Sequence, residues 1–343
     1  MTRDHTYHPL RVARVVAETA DSCSFVFDVP EELRSTFTYE PGQFCDVRVQ
    51  VDGEPLIRCY SMSSSAAIGE PLQVTVKRVA DGIVSNWMID QISEDDFVEV
   101  AAPAGFFQLA GESDLVAFGA GSGITPIFSL LKTALARTSR HIRLLYANRD
   151  RDSVIFGAAI DALAEEHGDR FEVTHRLDVE HGFVDAEVVR SVIADARDPE
   201  FYICGPAPFM DIVEHTLLAD GVDAGRIHIE RFTPLDPPAA PATETASATA
   251  NGTRVTIELD GRTDVADHRP GTTILQTARQ LGMSPPFSCE SGSCATCMAR
   301  IVEGSASMHV NNALTPDEVE EGWVLTCQAV PTAPMVHVVY GYD

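Results

Sequence analysis

Four cysteines near the end of the chain restrict the fold of this region more than any other feature. Cys289, Cys294 and Cys297 follow the spacing C-x4-C-x2-C in SCESGSCATC, and Cys327 lies further along in VLTCQ. A two-iron, two-sulfide cluster takes four thiolates, and one known arrangement draws three from a single loop and one from a distant segment. Small residues around the loop cysteines allow the backbone to fold tightly and to point N–H groups at cluster sulfurs. The spacing therefore predicts a [2Fe-2S] site.

The cysteine spacing is also compatible with zinc. Zinc prefers two C-x2-C pairs, and one is present, Cys294 with Cys297. A disulfide and a chance cluster are further alternatives. The remaining cysteines stand singly: Cys23, Cys45, Cys59 and Cys204. Their scatter argues against a disulfide scaffold and favours a metal or redox site in a reducing compartment.

The charge of the chain excludes several classes of partner. With 25 Lys and Arg against 51 Asp and Glu, the net charge is −26, which repels nucleic acid and anionic lipid surfaces within the Debye length. The sequence has no run of about 18 apolar residues and no apolar segment at its start, so it predicts neither a membrane span nor a secretory signal. We expect a cytoplasmic protein that binds neither nucleic acid nor membrane.

Changes in sequence pattern predict three domains and a linker. Residues 1–110 contain short alternating strands, such as FCDVRVQV, and are expected to form an antiparallel β-barrel. Residues 111–232 alternate strand and helix patterns, among them a helical pattern over VIFGAAIDALAEEHG, which indicates an α/β domain with a parallel sheet. Residues 233–252 are rich in Pro, Ala and Thr and are expected to be a linker. Residues 253–343 begin with a hairpin and a short helix and contain the cysteine loop.

Two motifs in the first domain resemble the flavin-binding motifs of the ferredoxin–NADP reductase superfamily. RCYSMSSS contains the pattern R-x-Y-S, and VKRVADGIVSNWM contains a glycine turn before a helix. The resemblance implies that Arg58 neutralises a flavin phosphate, that Tyr60 packs on the isoalloxazine and that Ser61 hydrogen-bonds near N5, where hydride arrives. N–H groups after Gly82 would meet a second phosphate. The implied flavin-binding residues are Arg58, Cys59, Tyr60, Ser61, Val76, Gly82, Val84 and Ser85.

Ordinary structural roles would also account for each flavin motif. The same sequence would result if Arg58 were a surface cation, Tyr60 an ordinary strand aromatic and Ser85 a helix N-cap. The identity of the flavin is also open. The resemblance favours FAD over FMN, because most relatives with this domain order carry FAD.

Two motifs in the second domain resemble the nicotinamide-binding motifs of the same superfamily. GAGSGITP follows the apolar strand LVAF and opens a helix, so its N–H groups can meet a pyrophosphate, and CGPAPFM matches C-G-P-x-P-F-M. The resemblance implies that Cys204 lies beside the nicotinamide ring and that Phe232 covers the flavin until nicotinamide displaces it. A buried structural cysteine and a packing phenylalanine are the alternatives. The implied nicotinamide-binding residues are Gly121, Gly123, Thr125, Pro126, Arg149, Gly205 and Pro206, and the implied catalytic residues are Ser61, Cys204 and Phe232.

The choice between NADH and NADPH depends on NRDRDS, after the second strand of this domain. Arg149 and Arg151 suit a 2′-phosphate, whereas Asp150 and Asp152 suit ribose hydroxyls and repel phosphate. These signals conflict. The resemblance favours NADH and leaves NADPH open.

The order of the domains resembles the reductase components of multicomponent oxygenases, and most of all those of 3-ketosteroid 9α-hydroxylases. Residues 254–343 are similar to a plant-type ferredoxin domain of β-grasp fold, which implies that Cys289, Cys294, Cys297 and Cys327 are the cluster ligands. Hydride brings two electrons and the cluster accepts one, so a flavin must stand between them. We expect electrons to pass from NAD(P)H to flavin, to [2Fe-2S] and to a terminal oxygenase protein.

The partner is open to alternatives. Plant-type clusters lie near about −400 mV and Rieske centres several hundred millivolts higher, which favours a Rieske-type oxygenase. A di-iron epoxidase, such as phenylacetyl-CoA epoxidase, is the alternative partner, and a zinc-stabilised binding module is the alternative without enzyme activity. TPDEVEEG, near Cys327, either attracts a basic partner surface or forms a capping box from Thr315 to Glu318.

Overall fold

The computed structural model describes residues 6–232, 253–259, 261–287, 290, 292 and 294–341. The chain divides into two compact units, one formed by Tyr7–Phe232 and the other containing the described residues from 253 onward. The predicted linker, residues 233–252, and the predicted ligand Cys289 lie outside the described residues. The predicted boundary at residue 110 stays a prediction.

The first part of Tyr7–Phe232 is a six-stranded antiparallel sheet. Its elements are β1 (Tyr7–Thr19), β2 (Ser22–Asp28), β3 (Phe44–Val51), β4 (Glu54–Ser61), β5 (Gln73–Lys77), α1 (Ile83–Gln91) and β6 (Phe97–Ala101). The strand order is β4-β3-β6-β1-β2-β5, and a bridge between Met62 and Val74 joins the two edges, which closes the sheet into a barrel. Alternate residues of β3, Cys45, Val47 and Val49, are buried in the barrel core, as period-2 alternation requires.

The second part of this unit is a parallel sheet covered by helices on both faces. Its elements are β7 (Leu115–Ala120), α2 (Ile124–Arg137), β8 (Ile142–Asn148), α3 (Gly157–Glu166), β9 (Phe171–Leu177), α4 (Asp178–His181), α5 (Ala186–Ile193), β10 (Glu200–Cys204), α6 (Ala207–Ala219) and β11 (Ile227–Glu230). The strand order β11-β10-β7-β8-β9 reverses direction between β7 and β10. Ligands of such sheets bind at the carboxyl ends of the strands where the order reverses. No helix in the described part of the chain is long and apolar enough to cross a membrane.

One local prediction in this unit needs correction, and one of the alternative structural roles is excluded. The helical pattern predicted over VIFGAAIDALAEEHG starts later, at Gly157, because Phe156 has a φ of 59° and cannot continue a right-handed helix. The N-cap of α1 is Gly82 instead of Ser85. The Ser85 hydroxyl accepts a hydrogen bond from the Val79 N–H at 3.1 Å, so it holds the loop before the helix.

The second unit contains a mixed five-stranded sheet. Its elements are β12 (Arg254–Leu259), β13 (Arg262–Asp267), α7 (Ile274–Gln280), β14 (Met298–Glu303), β15 (Ala306–Met308), α8 (Pro316–Glu320), β16 (Trp323–Leu325), β17 (Ala329–Pro331) and β18 (Met335–Val339). The order is β13-β12-β18-β14-β16, with β12 and β18 parallel, and β15 pairs separately with β17. Ile274 and Ala278 of α7 pack with Val336 of β18 in the core. The predicted combination of a barrel, a parallel-sheet domain and a ferredoxin-like domain is confirmed.

Candidate functional site

Arg58 is half-buried on β4 and has no carboxylate within ion-pair distance among the described residues. Its Nη1 donates to the main-chain oxygen of Ile57 at 2.7 Å, and burial lowers the pKa of its guanidinium. A partly desolvated cation without a counter-ion is costly unless a ligand supplies the negative charge. The position therefore fits a bound phosphate.

Ser61 ends β4 with its hydroxyl buried and without a hydrogen-bond partner in the described part of the chain. Burying an unpaired hydroxyl costs about 1–3 kcal/mol, so native structures rarely leave one without a ligand or water. Tyr60 precedes it and packs against the barrel core, and burial raises the pKa of its phenol. The unpaired Ser61 hydroxyl fits a flavin that accepts or donates a hydrogen bond there.

Gly82 begins α1 at a point where a side chain does not fit. A Cβ at Gly82 would lie 2.8 Å from Ser85 Oγ and 2.9 Å from Val79 Cβ. The first turn of a helix presents N–H groups without intrahelical acceptors, which suits an anion. Val84 and Ser85, both buried, belong to this turn.

Two other residues predicted to bind flavin have protein contacts of their own. Cys59 donates its thiol to Asp46 Oδ1 at 2.8 Å across β3 and β4. The side chain of Val76 is fully buried in the barrel core. Any direct contact of Val76 with flavin would therefore be made by its main-chain atoms.

Glycines allow the ends of β7 and β10 to approach each other where the strand order reverses. A Cβ at Gly123 would lie 2.2 Å from the Cys204 carbonyl oxygen, and one at Gly205 would lie 2.9 Å from Ala120 Cβ. Gly121 has a φ of 53°, in the left-handed region that glycine adopts without strain. The two predicted nicotinamide motifs thus meet at the crevice typical of dinucleotide sites.

The remaining residues of these motifs support the two turns. Thr125 donates its hydroxyl to the Ser122 carbonyl oxygen at 3.0 Å, Pro126 is buried in the first turn of α2, and Pro206 is the N-cap of α6. Cys204 is fully buried, and burial raises the pKa of its thiol well above the ordinary value. Phe232 is half-buried against the same core cluster as Cys204.

The loop after β8 contains one ion pair, between Arg149 and Asp150. Asp150 accepts from the Ser153 N–H at 2.9 Å and pairs with Arg149 Nε at 2.7 Å. The Arg149 guanidinium holds the pKa of the Asp150 carboxyl below its ordinary value. Arg149, one of the two arginines that would suit a 2′-phosphate, is therefore already paired with a carboxylate.

In the second unit, three of the four predicted cluster ligands lie together and are buried. The pKa of the Cys297 thiol is raised well above its ordinary value by a hydrogen bond with Cys327, by burial and by the proximity of Cys327 and Cys294. Crowded, buried thiols resist ionisation without a metal, and a bound metal reverses this preference. The three described thiols therefore fit part of a thiolate-bound centre, whose fourth predicted ligand, Cys289, lies outside the described residues.

Backbone geometry around these cysteines depends on small residues. Gly292 has a φ of 80°, and a Cβ there would lie 2.8 Å from the Val310 carbonyl oxygen. Ala295 also has a positive φ, of 58°. The Thr326 hydroxyl donates to the Cys297 carbonyl oxygen at 2.7 Å, which ties the loop to the segment of Cys327.

Family profiles match the chain in the same order as its three folded parts. Residues 9–109 match the oxidoreductase FAD-binding domain, residues 118–215 the oxidoreductase NAD-binding domain and residues 257–332 the 2Fe-2S iron-sulfur cluster binding domain. The ferredoxin reductase component of the 3-ketosteroid-9-alpha-monooxygenase of Rhodococcus rhodochrous is 40% identical over 94% of this chain and 93% of the relative. The chain belongs to the oxygenase reductase family.

Further comparisons agree with this family. One subunit of the 1,2-phenylacetyl-CoA epoxidase of Escherichia coli is 34% identical to this oxygenase reductase over 95% of both chains. Phthalate dioxygenase reductase, which transfers electrons from pyridine nucleotides to [2Fe-2S], superposes with a TM-score of 0.60 and 26% identity, and the match covers 97% of this chain and 98% of the other. The predicted resemblance is confirmed, and with it the FAD, NAD and [2Fe-2S] domains.

Sequence reasoning missed the contact surface between the barrel and α2 of the oxygenase reductase. Glu70 Oε2 accepts from the Ser65 N–H at 2.7 Å and forms a short ion pair with the buried Lys132. The hydroxyls of Ser65 and Thr133 are 2.6 Å apart. A lysine within the apolar run SLLKTALA was the available signal, but its partner lies far away in sequence.

Proposed function

We propose that this oxygenase reductase oxidises NAD(P)H and delivers electrons singly, through flavin and [2Fe-2S], to a terminal oxygenase protein. The observation that supports it best is the combination, in one unit, of an unpaired buried Ser61 hydroxyl with a glycine crevice at Gly123 and Gly205. Bound flavin accepts hydride and releases electrons one at a time, and a [2Fe-2S] cluster carries one electron.

The residues of the chain are proposed to hold and orient these groups. Arg58 offsets the charge of a flavin phosphate, and Ser61 offers its hydroxyl to the flavin ring. Burial raises the pKa of the Cys204 thiol, so the thiol stays protonated at neutral pH and does not act as a base. Its proposed role is to pack against the nicotinamide and exclude water. Cys294, Cys297 and Cys327, with Cys289 outside the described residues, hold the cluster.

The proposed partner is a Rieske-type oxygenase, because transfer from a plant-type cluster to a Rieske centre is downhill. A di-iron epoxidase is the second candidate, and the Escherichia coli epoxidase component among the relatives favours it. Turnover with purified oxygenases of both classes separates these candidates. The thiol ligands require a reducing compartment, which supports a cytoplasmic location.

Anaerobic titration with NADH tests the proposed function. The purified protein should contain FAD, two irons and two acid-labile sulfides per chain, and NADH should bleach its visible absorbance. A folded preparation that contains zinc and no sulfide would instead support a binding module. The same titration with NADPH compares the two nucleotides.

A further inference from the structure

A cavity of about 500 Å³ opens between the barrel and the carboxyl ends of β8 and β9, a volume typical of small-molecule sites. Its lining includes the first turn of α3 and His175 of β9, and the barrel contributes Glu18. The Tyr146 hydroxyl lies 3.2 Å from the Gly121 carbonyl oxygen and 3.3 Å from that of Ile155, so it joins the glycine turn to the segment beside the cavity. A dinucleotide with its pyrophosphate at this turn extends along the strand ends, which brings its adenosine end to the cavity.

Carboxylates outnumber guanidinium groups around the cavity. Glu18, Asp152 and Asp161 line it, and Arg151 is the guanidinium among the described lining residues. Asp161 Oδ1 lies 3.3 Å from His175 Nε2. The other arginine of the loop, Arg149, is absent from the described lining and is paired with Asp150. Lys132 also acts electrostatically on Glu18 but is paired with Glu70, so a doubly charged phosphate would meet the excess negative charge of the lining.

Glu18 is held in place by a series of hydroxyl groups inside the barrel. Ser24 donates its hydroxyl to Glu18 Oε1 at 2.6 Å. The Ser24 and Thr75 hydroxyls are 2.7 Å apart, and those of Thr75 and Ser63 are also 2.7 Å apart. Ser24, Thr75 and Ser63 are all buried. A carboxylate that is anchored in this way cannot swing away from an approaching anion at low cost.

We propose that this cavity takes the adenosine end of the dinucleotide and that Glu18 selects a free 2′-hydroxyl over a 2′-phosphate. The inference rests on the proposed function and makes the substrate NADH. The selecting charge comes from the flavin domain, across the cavity from the loop after β8. Asp152 and Asp161 add to the same repulsion.

Binding of two redox-inert probes tests this assignment. ADP-ribose and 2′-phospho-ADP-ribose are titrated into the FAD-loaded full-length protein by calorimetry at low salt. The wild type should prefer ADP-ribose, and Glu18→Gln should lower the ratio of the two Kd values about tenfold. Raising the salt to about 0.5 M should shrink the wild-type ratio, because screening weakens the repulsion.

Glu32→Gln is the matched control, since it removes the same charge from an exposed residue of the barrel outside the cavity lining. Its Kd ratio should equal that of the wild type. An unchanged ratio in Glu18→Gln, or an equal change in both variants, would overturn the role of Glu18 and leave the reductase function intact. Failure of ADP-ribose to bind at all would contradict the proposed function itself.

Discussion

At the scale of single residues, the unpaired hydroxyl of Ser61 gives the most direct test of the flavin site. Ser61→Ala should slow flavin reduction by NADH about five- to tenfold, the equivalent of one lost hydrogen bond of about 1 kcal/mol. In the flavin-free protein the same change should leave the thermal midpoint unchanged or raise it, because the hydroxyl has no partner there among the described residues. Stopped-flow reduction and thermal unfolding measure the two effects.

Ser63→Ala is the control for this prediction. The Ser63 hydroxyl lies 2.7 Å from that of Thr75, so its removal should cost about 1 kcal/mol of stability in the flavin-free protein. Equal destabilisation by both substitutions would mean that Ser61 has a partner in solution and is not reserved for flavin.

The cysteine centre predicts a separation of two activities. Cys294→Ser should abolish reduction of cytochrome c through the cluster, because one thiolate ligand is lost. Reduction of the flavin by NADH should remain within about twofold of the wild type, since the flavin site belongs to the other unit. Cys23→Ser, in the barrel, should leave both activities intact. Loss of both activities in Cys294→Ser with flavin still bound would refute the proposed electron order.

At the scale of elements, Tyr202 of β10 fixes the segment that joins the barrel to the parallel sheet. Its hydroxyl donates to the Gln108 carbonyl oxygen at 3.0 Å and accepts from the Ala110 N–H at 2.6 Å. Burial raises the pKa of Tyr202 to about 12. As the pH rises, the Tyr202 phenol therefore ionises in the unfolded chain before it does so in the folded protein. Its contribution to the free energy of unfolding is complete below about pH 10 and declines towards pH 12.

Tyr202→Phe isolates this pH dependence. At pH 8 the variant should be less stable by about 1 kcal/mol, because the Ala110 N–H loses its acceptor. The difference from the wild type should shrink as the pH rises from 10 to 12, where the wild type loses up to about 1.4 kcal/mol per pH unit. Thermal midpoints at pH 8, 10 and 11 measure it, and parallel profiles for the two proteins would contradict the role of Tyr202.

The face of α2 towards the barrel explains how the two halves of the first unit keep their orientation. The Ser129 hydroxyl donates to the Ser64 carbonyl oxygen at 2.6 Å, and Lys132 pairs with Glu70 one turn later. Burial lowers the pKa of Lys132, while Glu70 opposes that shift. This surface connects the flavin motif that ends at Ser61 to the helix that begins after Gly123.

A double-mutant cycle measures the Lys132–Glu70 contact. Lys132→Met and Glu70→Gln should each cost about 1–3 kcal/mol, and the double variant should cost less than their sum, with a coupling of about 1 kcal/mol or more. Flavin reduction should slow in each single variant, because the nicotinamide crevice loses its fixed position relative to the flavin motif. Additive effects on stability would show that the pair is not coupled.

The sequence pattern predicted local structure correctly where the interacting residues lie close together in the chain. The alternation in FCDVRVQV predicted β3, and the capping box of α8 is present, with the Thr315 hydroxyl accepting from the Glu318 N–H. Pattern reasoning misplaced the start of α3, because the local sequence does not reveal the positive φ of Phe156, whose ring stacks on Phe128 from a distant helix. It also could not pair Lys132 with Glu70, since only the assembled barrel and helix bring them together.

At the scale of the whole molecule, an excess of acidic residues restricts which surface can meet the oxygenase. α8 ends shortly before Cys327, and Glu320 and Glu321 are exposed at its carboxyl end. Acidic residues at that end oppose the helix dipole, so they do not stabilise the helix as Thr315 and Glu318 do at its start. Their position beside the cluster segment suits a basic partner surface.

Replacing both exposed acids tests this surface without touching the capping box. Glu320→Gln/Glu321→Gln should lower kcat/KM for the partner oxygenase about two- to fivefold at low salt, and the loss should disappear near about 0.5 M salt. Asp264→Asn/Asp267→Asn removes the same charge from β13, at the opposite edge of the sheet from β16, and should have no such effect. If both double variants lost the same kcat/KM, net charge would explain the attraction between the two proteins. A docking surface on α8 requires a larger loss from the Glu320/Glu321 variant than from the Asp264/Asp267 variant.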